Sequence, residues 1–274
     1  MACGYQFRSD HSDTEVLVHG YEAWGIAGLL KKLEGMFAFA IWDAKRDQLT
    51  ITRDRVGIKP IYFTKRAGAL VFASEIKAIL VHPNIPSRVG EVALYHYLTY
   101  LTTPAPLTMF DGIYKLPAAH YLEIDLKGSL RSERYWSPEP GSGVDTAQLQ
   151  GLDEEARAKF FQQSIMTRLE SSVQKRMMSD APYGAFLSGG IDSSLITALM
   201  QDQSSRPIQT FTVGFDEIEF DESPYALAVA QHIGTEHHEL RVTSSDALSI
   251  IPNLPEIYDE PFSDSSQIPT YFIC

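Results

Sequence analysis

Cysteine is nearly absent: the 274 residues contain two, Cys3 and Cys274. That excludes a disulfide-stapled scaffold, which needs several cysteines in a small chain. No Cys-x-x-Cys or mixed His/Cys cluster suggests zinc. His237 and His238 are adjacent, and neighbours on a strand point to opposite faces, which argues against joint metal ligation. Basic charge is in deficit, with 23 Lys+Arg against 35 Asp+Glu and a net charge of −12. A basic footprint for nucleic acid or anionic membrane is therefore missing overall, although a local pocket for phosphates remains compatible. No apolar run approaches the roughly 20 residues of a membrane helix. The opening MACGYQFR lacks the apolar centre of a signal peptide. Cytoplasm is the expected location. Internal repeats and low-complexity tracts are also lacking.

What is present falls into two unlike parts around 137–150, SPEPGSGVDTAQLQ, whose prolines, glycines and small polar residues read as a linker. Before it, Ser12 or Asp13 can cap a helix carrying Val16, Leu17, Tyr21 and Trp24, interrupted at Gly25 and followed by a second helical piece at 29–33 that ends at Gly35. Short strand-like runs follow at 36–42, 49–53, 61–65 and 69–73. Their short links predict antiparallel pairing. The first run, MFAFAIW, is apolar on both faces and is expected to be covered on both sides. Helices near 75–80 and 92–101 and a strand near 121–124 complete this part. After the linker, the rhythm becomes helix 154–176, strand 183–187, helix 192–200, strand 208–215, helix 223–233 stopped by Gly234, strand 238–242 and a helix from Ser244. Strands alternating with helices predict parallel pairing with right-handed crossovers, an α/β nucleotide-binding layout.

The segment AFLSGGIDSS at 185–194 carries the most specific chemistry. Gly189 and Gly190 let the backbone turn sharply and approach a ligand. The following amides lie in the first turn of a helix, where N–H groups lack intrahelical partners and the helix dipole favours anions. Ser188, Ser193 and Ser194 add hydroxyl donors. Asp192 would repel a bare phosphate, and its carboxylate makes sense as a ligand to magnesium, a hard ion that takes oxygen. The Gly-Lys-Ser/Thr ending of a Walker A loop is missing. The bland alternative is an ordinary glycine turn with serine caps, and the full string in strand–turn–helix context is the more specific reading.

This string resembles the pyrophosphate loop, Ser-Gly-Gly-x-Asp-Ser, of the ATP-pyrophosphatase superfamily. Within that superfamily the chain resembles glutamine-hydrolysing asparagine synthetase. Similar strings are SDTE at 12–15, GMFAFAIWD at 35–43, RDRVGIKPIYF at 53–63, FASEIKAIL at 72–80, DAPYGAFLSGGIDSS at 180–194 and DEPFSDSSQIPTY at 259–271. They run in the family's order along nearly the whole chain. The resemblance implies a mixed α+β and α/β chain: a partial Ntn-hydrolase-like glutaminase (1–90), an inter-domain segment and linker (91–150), and a partial ATP-pyrophosphatase domain of the adenine nucleotide α-hydrolase type (151–274). It implies ATP and Mg2+ as cofactors, and aspartate and glutamine or ammonia as partners; it leaves a homodimer open. Leu187 and Val213 would present backbone to the adenosine. Ser188, Gly189, Gly190, Ser193 and Ser194 would hold the pyrophosphate, with Asp192 as the metal ligand. Asp13 would bind the α-amino group of glutamine, with the helix cap as its plainer role. Arg53–Pro60 is a family signature with no catalytic role assigned, and Asp259, Glu260 and 264–266 are expected near the nucleotide cleft.

The sequence also departs from the family pattern. The family's glutaminase nucleophile is a cysteine at the mature N-terminus, activated by its own amine. Here Met1 and Ala2 precede Cys3, so no catalytic residue is assigned, and Cys274 reads as a core residue. The strings Arg-Gly-Pro-Asp, Asn-Gly-Glu-Ile-Tyr-Asn and Ser-Gly-Asp-Gly-Gly-Asp-Glu do not occur. The expectation is a fragment of a synthetase. The alternatives are a β-lactam-synthetase-like adenylating enzyme, decided by the acceptor pocket, and a non-catalytic nucleotide-binding protein, decided by turnover of ATP to AMP.

Overall fold

The computed structural model describes all residues except 1–5, 10, 11, 67, 140–145, 218 and 220. Cys3 and much of the linker segment lie outside the described residues. The chain divides into two compact units: Met1–Pro140 with Pro255–Ser263, and Gly141–Leu254 with Asp264–Cys274. No helix among the described residues is long and apolar enough to cross a membrane.

In the first unit, α1 (Asp13–Lys32) is broken at Gly25, whose φ of 65° and ψ of 178° are non-helical. Only a residue without a Cβ takes that conformation cheaply. Ser12, not Asp13, is the N-cap: its hydroxyl accepts the Glu15 N–H at 3.4 Å. At the other end Leu33, not Gly35, closes the helix, donating to the Leu29 carbonyl. The strands β1 (Ala38–Asp43), β2 (Gln48–Arg53), β3 (Tyr62–Arg66) and β4 (Ala69–Ala73) follow, then α2 (Ile76–Leu80), α3 (Glu91–Tyr100), β5 (Tyr114–Lys115), β6 (His120–Asp125) and β7 (Leu130–Arg134). The predicted hairpins are antiparallel, but they lie in two sheets, ordered β1-β2-β6-β7 and β4-β3-β5. The sheets share a core: Ile51 and Leu122 from the first cluster with Ile61 and Leu116, and Phe63 and Leu70 of the second pack against them. A second cluster joins Ile76 and Ile79 of α2 to Ile85 and Ile113. The expectation that 36–42 is covered on both sides fails. β1 is an edge strand, and Trp42 on its outer face is 51% exposed.

The second unit opens with α4 (Glu154–Arg176), capped by the Asp153 carboxylate on the Ala156 N–H. Its expected apolar side is only partly used: Val173 is buried and Ile165 is exposed. Then β8 (Gly184–Phe186), α5 (Ile191–Asp202), β9 (Gln209–Phe215), α6 (Ser223–Ile233), β10 (Glu236–Val242) and α7 (Ser244–Ile250) alternate as predicted. The three strands are parallel, in the order β10-β9-β8. Gly234 ends α6 in the left-handed region, and Thr243 and Asp246 form a reciprocal capping box on α7. The single turn α8 (Leu254–Ile257) and α9 (Gln267–Ile273) complete the chain. Leu187, Ala226 and Ala230 form a buried cluster with Val229 packed against it, seating α6 on the strand that feeds the loop at 188–190.

The charged run after β2 is built inward. Asp54 is fully buried, and its carboxylate accepts the N–H groups of Val56 (3.2 Å), Ile58 (2.9 Å) and Lys59 (2.9 Å). The Arg53 guanidinium donates to three carbonyls, of Lys59, Leu116 and Gly57. Gly57, at φ +71°, sits where a Cβ would be 3.0 Å from the guanidinium carbon. Burial is the largest influence on Asp54 and raises its pKa. Backbone donation from Lys59, Ile58, Val56 and Gly57 outweighs it, leaving the carboxyl below its ordinary value. A depressed folded-state pKa gives stabilisation that is full above the ordinary carboxylate value and lost as pH falls through the depressed one. Asp54→Asn, which places an amide among donors, is expected to cost the first unit about 1–3 kcal/mol in urea unfolding at pH 7. The gap between variant and wild type should close in acid; a difference independent of pH would show that the charge is not what the loop uses.

Candidate functional site

The site is built on the end of β8. Phe186 pairs with Phe211, and the Leu187 N–H continues the ladder to the Phe211 carbonyl at 2.9 Å. β8 then stops while β9 runs on for four more residues. Backbone groups two residues apart on a strand point the same way, so the N–H and C=O of Val213 face the side β8 has vacated. Beyond Leu187 the chain turns through Ser188, Gly189 and Gly190 into α5. Gly189 has φ +79°, and a Cβ there would lie 2.6 Å from the Tyr225 Cβ and 2.8 Å from the Ala226 nitrogen. Two demands thus meet on one residue, a left-handed backbone and a close approach to the first turn of α6.

The turn is tied together by its serines. Ser188 Oγ and Ser193 Oγ lie 2.9 Å apart, and Ser193 Oγ also donates to the Gly190 carbonyl at 3.2 Å. The Gly190 N–H donates to Ser188 Oγ at 3.3 Å, and the Ser188 N–H to Ser193 Oγ at 3.3 Å. Gly190 is the N-cap residue of α5, and the Ser194 N–H, bonded to its carbonyl at 3.0 Å, is the first amide with an intrahelical acceptor. The amides at 191–193 precede that bond, where a helix leaves donors for an external acceptor. Ser194 Oγ is buried and makes no hydrogen bond. A polar atom left this way favours a ligand that accepts from it. Asp192 is exposed on the first turn of α5.

The loop borders a cleft of ≈ 930 Å³ within the second unit, a size that takes a small-molecule ligand. Leu187, Ser188 and Ser193 form one wall, and Val213 stands on another with Phe215. Ser265, Ser266, Ile268 and Thr270 close a third. Most of the lining is apolar, with hydroxyls near the loop. Of the residues named from the sequence, Leu187, Ser188, Ser193 and Val213 line this cleft; Gly189, Gly190, Asp192 and Ser194 belong to the adjoining turn and helix. Asp259 and Glu260 do not join it and pack in the first unit. Ile268, Thr270 and Ser244 were not anticipated, because nothing in their local sequence marks them; only the packing of α9 and α7 brings them to the cleft. Among the described residues no group of three His, Cys, Asp or Glu side chains could hold a metal ion. A resident metal centre is therefore not built here, whereas a magnesium ion arriving with a nucleotide needs only one or two protein carboxylates beside the phosphates, and Asp192 suits that.

Asp13 lies in the first unit at the start of α1, exposed, with Thr14 Oγ1 donating to its carboxylate at 3.3 Å. Its neighbour Glu15 is the more constrained acid. It accepts the N–H groups of Arg8 (2.7 Å) and Ser9 (2.8 Å) and the Ser9 hydroxyl. The Ser9 hydroxyl first, then these amides, hold its pKa at about 2. Glu15 thus anchors the segment leading into α1. Cys274 is exposed.

Comparison with known proteins places both units. A glutamine amidotransferase domain model matches residues 1–136, and an asparagine synthase model matches residues 164–274. Asparagine synthetase [glutamine-hydrolyzing] 3 of Bacillus subtilis (strain 168) is 34% identical over 275 residues, covering 95% of this chain and 42% of the relative. A putative asparagine synthetase [glutamine-hydrolyzing] 2 of Methanocaldococcus jannaschii is 34% identical over 95% of this chain and 49% of its own length. Asparagine synthetase [glutamine-hydrolyzing] 1 of Bacillus subtilis is 32% identical over 99% of this chain and 41% of its own length. The chain therefore spans less than half the length of these relatives. With an amidotransferase match on one unit, a synthase match on the other and the pyrophosphate-type turn between β8 and α5, the chain belongs to the glutamine-hydrolysing asparagine synthetase family.

Proposed function

We propose that the second unit binds ATP and serves the synthetase half-reaction of an ATP-dependent carbon–nitrogen ligase. In that reaction the side-chain carboxylate of aspartate attacks the α-phosphorus of ATP, forming β-aspartyl-AMP and expelling pyrophosphate. Ammonia derived from glutamine then attacks the acyl carbon and expels AMP, leaving asparagine. The observation that carries this reading is the turn at 188–190: a parallel strand ends, the chain reverses through a left-handed glycine, and a helix N-terminus opens beside a cleft of nucleoside size.

Each residue has a physical task in this proposal. The backbone of Leu187 and Val213 presents unpaired polar groups to the edge of adenine, between apolar walls. The amides that follow Gly190, with the hydroxyls of Ser188, Ser193 and Ser194, receive the pyrophosphate oxygens. Preorganised donors of this kind stabilise charge without reorganising during the reaction. Magnesium, when bound, supplies charge neutralisation on the leaving pyrophosphate, and Asp192 is its protein ligand. Holding the aspartate carboxylate in line with the α-phosphorus is the remaining contribution, and positioning of this kind is a major share of phosphoryl-transfer catalysis. In the first unit, Asp13 offers a carboxylate to the α-ammonium group of glutamine. A cytoplasmic location and assembly as a homodimer belong to the same proposal.

Calorimetric titration of the purified chain with ATP and magnesium tests the reading, and saturable binding is expected. Gly189→Val is expected to abolish it, because the side chain collides with backbone of α6 and the left-handed φ is strained; its fold is checked by circular dichroism. A folded Gly189→Val protein that binds like wild type would remove the loop from the site. Asp192→Ala should weaken binding about tenfold, roughly 1.4 kcal/mol, in magnesium and leave binding in EDTA unchanged. An equal loss in both conditions would assign Asp192 to the fold of α5 instead of the metal.

A further inference from the structure

The chain leaves the second unit at Leu254, packs residues 255–263 in the first unit, and returns to the second at Asp264. This short segment carries two acids that are nearly buried. Asp259, 10% exposed at its side chain, accepts the N–H of Ile76 at the start of α2 and lies 3.5 Å from Lys77 Nζ. Lys77 Nζ also donates to the Glu256 carbonyl at 2.7 Å. Glu260, 14% exposed, accepts the Met109 N–H at 2.9 Å and pairs with Lys115 Nζ, itself 16% exposed. The Ser263 N–H closes the segment by donating to the Leu101 carbonyl at 2.9 Å. Two residues later the chain forms a wall of the cleft with Ser265 and Ser266, and then with Ile268 and Thr270 of α9.

The arrangement has a mechanical consequence. Charge-assisted bonds shielded from water hold more strongly than exposed ones, so 259–263 is the clamped part of this stretch. The distance from the last clamp to the cleft wall is two residues, about 7 Å of fully extended chain. The wall formed by Ser265 and Ser266 can therefore move little while Ser263 is held, and releasing the clamp gives it new freedom. We propose that Asp259 and Glu260 are positioning residues for the nucleotide cleft: held by Ile76, Lys77, Met109 and Lys115, they fix the strap at 255–263 and through it the cleft wall at 265–270. The inference rests on the nucleotide reading above. It adds that two acids of the amidotransferase-like unit set nucleotide affinity without touching the nucleotide.

Energetic coupling is reciprocal, so the nucleotide must tighten the strap as much as the strap tightens the nucleotide. Hydrogen exchange of the intact wild-type chain is followed at the Ile76 and Met109 amides, with and without saturating ATP and magnesium. Both amides are expected to exchange about tenfold more slowly when nucleotide is bound, within the range of typical couplings, although neither lines the cleft. Glu260→Ala and Lys115→Met are expected to weaken ATP binding by the same factor, with Glu260→Gln retaining part of the affinity through the Met109 N–H. A purely structural role for these acids would lower the melting temperature of the first unit and leave both readouts unchanged. If wild type binds ATP and the two amides do not respond, the strap inference is wrong and the nucleotide reading stands. If wild type binds no ATP, the nucleotide reading falls and takes the inference with it. The exchange measurement needs no variant, so a variant that fails to fold does not blunt it.

Discussion

The close approach of Gly189 to the first turn of α6 is the constraint on which the candidate site depends. A Cβ at this position would overlap Tyr225 and the Ala226 backbone nitrogen, so no other residue type allows α6 to sit this near the end of β8. That proximity lets Ala226 and Ala230 pack on Leu187, small residues against a strand end. With α6 seated there, the turn is held in one conformation. Its serines then bond to one another and to Gly190, and the amides opening α5 are left toward the cleft. The anion-binding character of the loop is thus a product of packing behind it as much as of the glycines and hydroxyls within it.

The first unit treats charge differently. The run from Arg53 to Lys59 has the composition of an exposed loop, yet its acid is fully buried and its first arginine spends its donors on backbone carbonyls. Both ions serve as fasteners for a tight turn between β2 and β3. A buried carboxylate on three or more amides is stable because those amides would otherwise need partners of their own. Such a residue looks functional in a sequence and is architectural in the fold. The strap at 255–263 has the same logic, with carboxylates on backbone N–H groups and lysines.

Much of the local structure was legible beforehand because its causes are local. Helices 154–176 and 223–233 were set by cap residues and by Gly234, whose left-handed conformation depends on the residue itself. Parallel pairing of the later strands followed from crossovers long enough to hold a helix. The failures came where a neighbour decides. Ser12 took the cap over Asp13, a choice between two adjacent competent acceptors. The apolar run at 36–42 became an edge strand with Trp42 exposed, since periodicity reports how apolar a face is and not what lies against it. Asp259 and Glu260, grouped with the cleft by their place in a motif, bond instead to Ile76 and Met109, more than a hundred residues away in the chain.

The sequence by itself determined the order of elements, the turn chemistry of Ser188 to Ser194, the absence of a disulfide framework and the family signatures. These depend on backbone preference, periodicity and short-range hydrogen bonding, all encoded within a few residues. Only the tertiary structure decided which side of β9 is left open at Val213, that α9 supplies Ile268 and Thr270 to the same cleft, and that the strap acids are clamped by another part of the chain. Those depend on where strands stop relative to one another and on contacts between distant segments, and no local pattern in the residues carries that information.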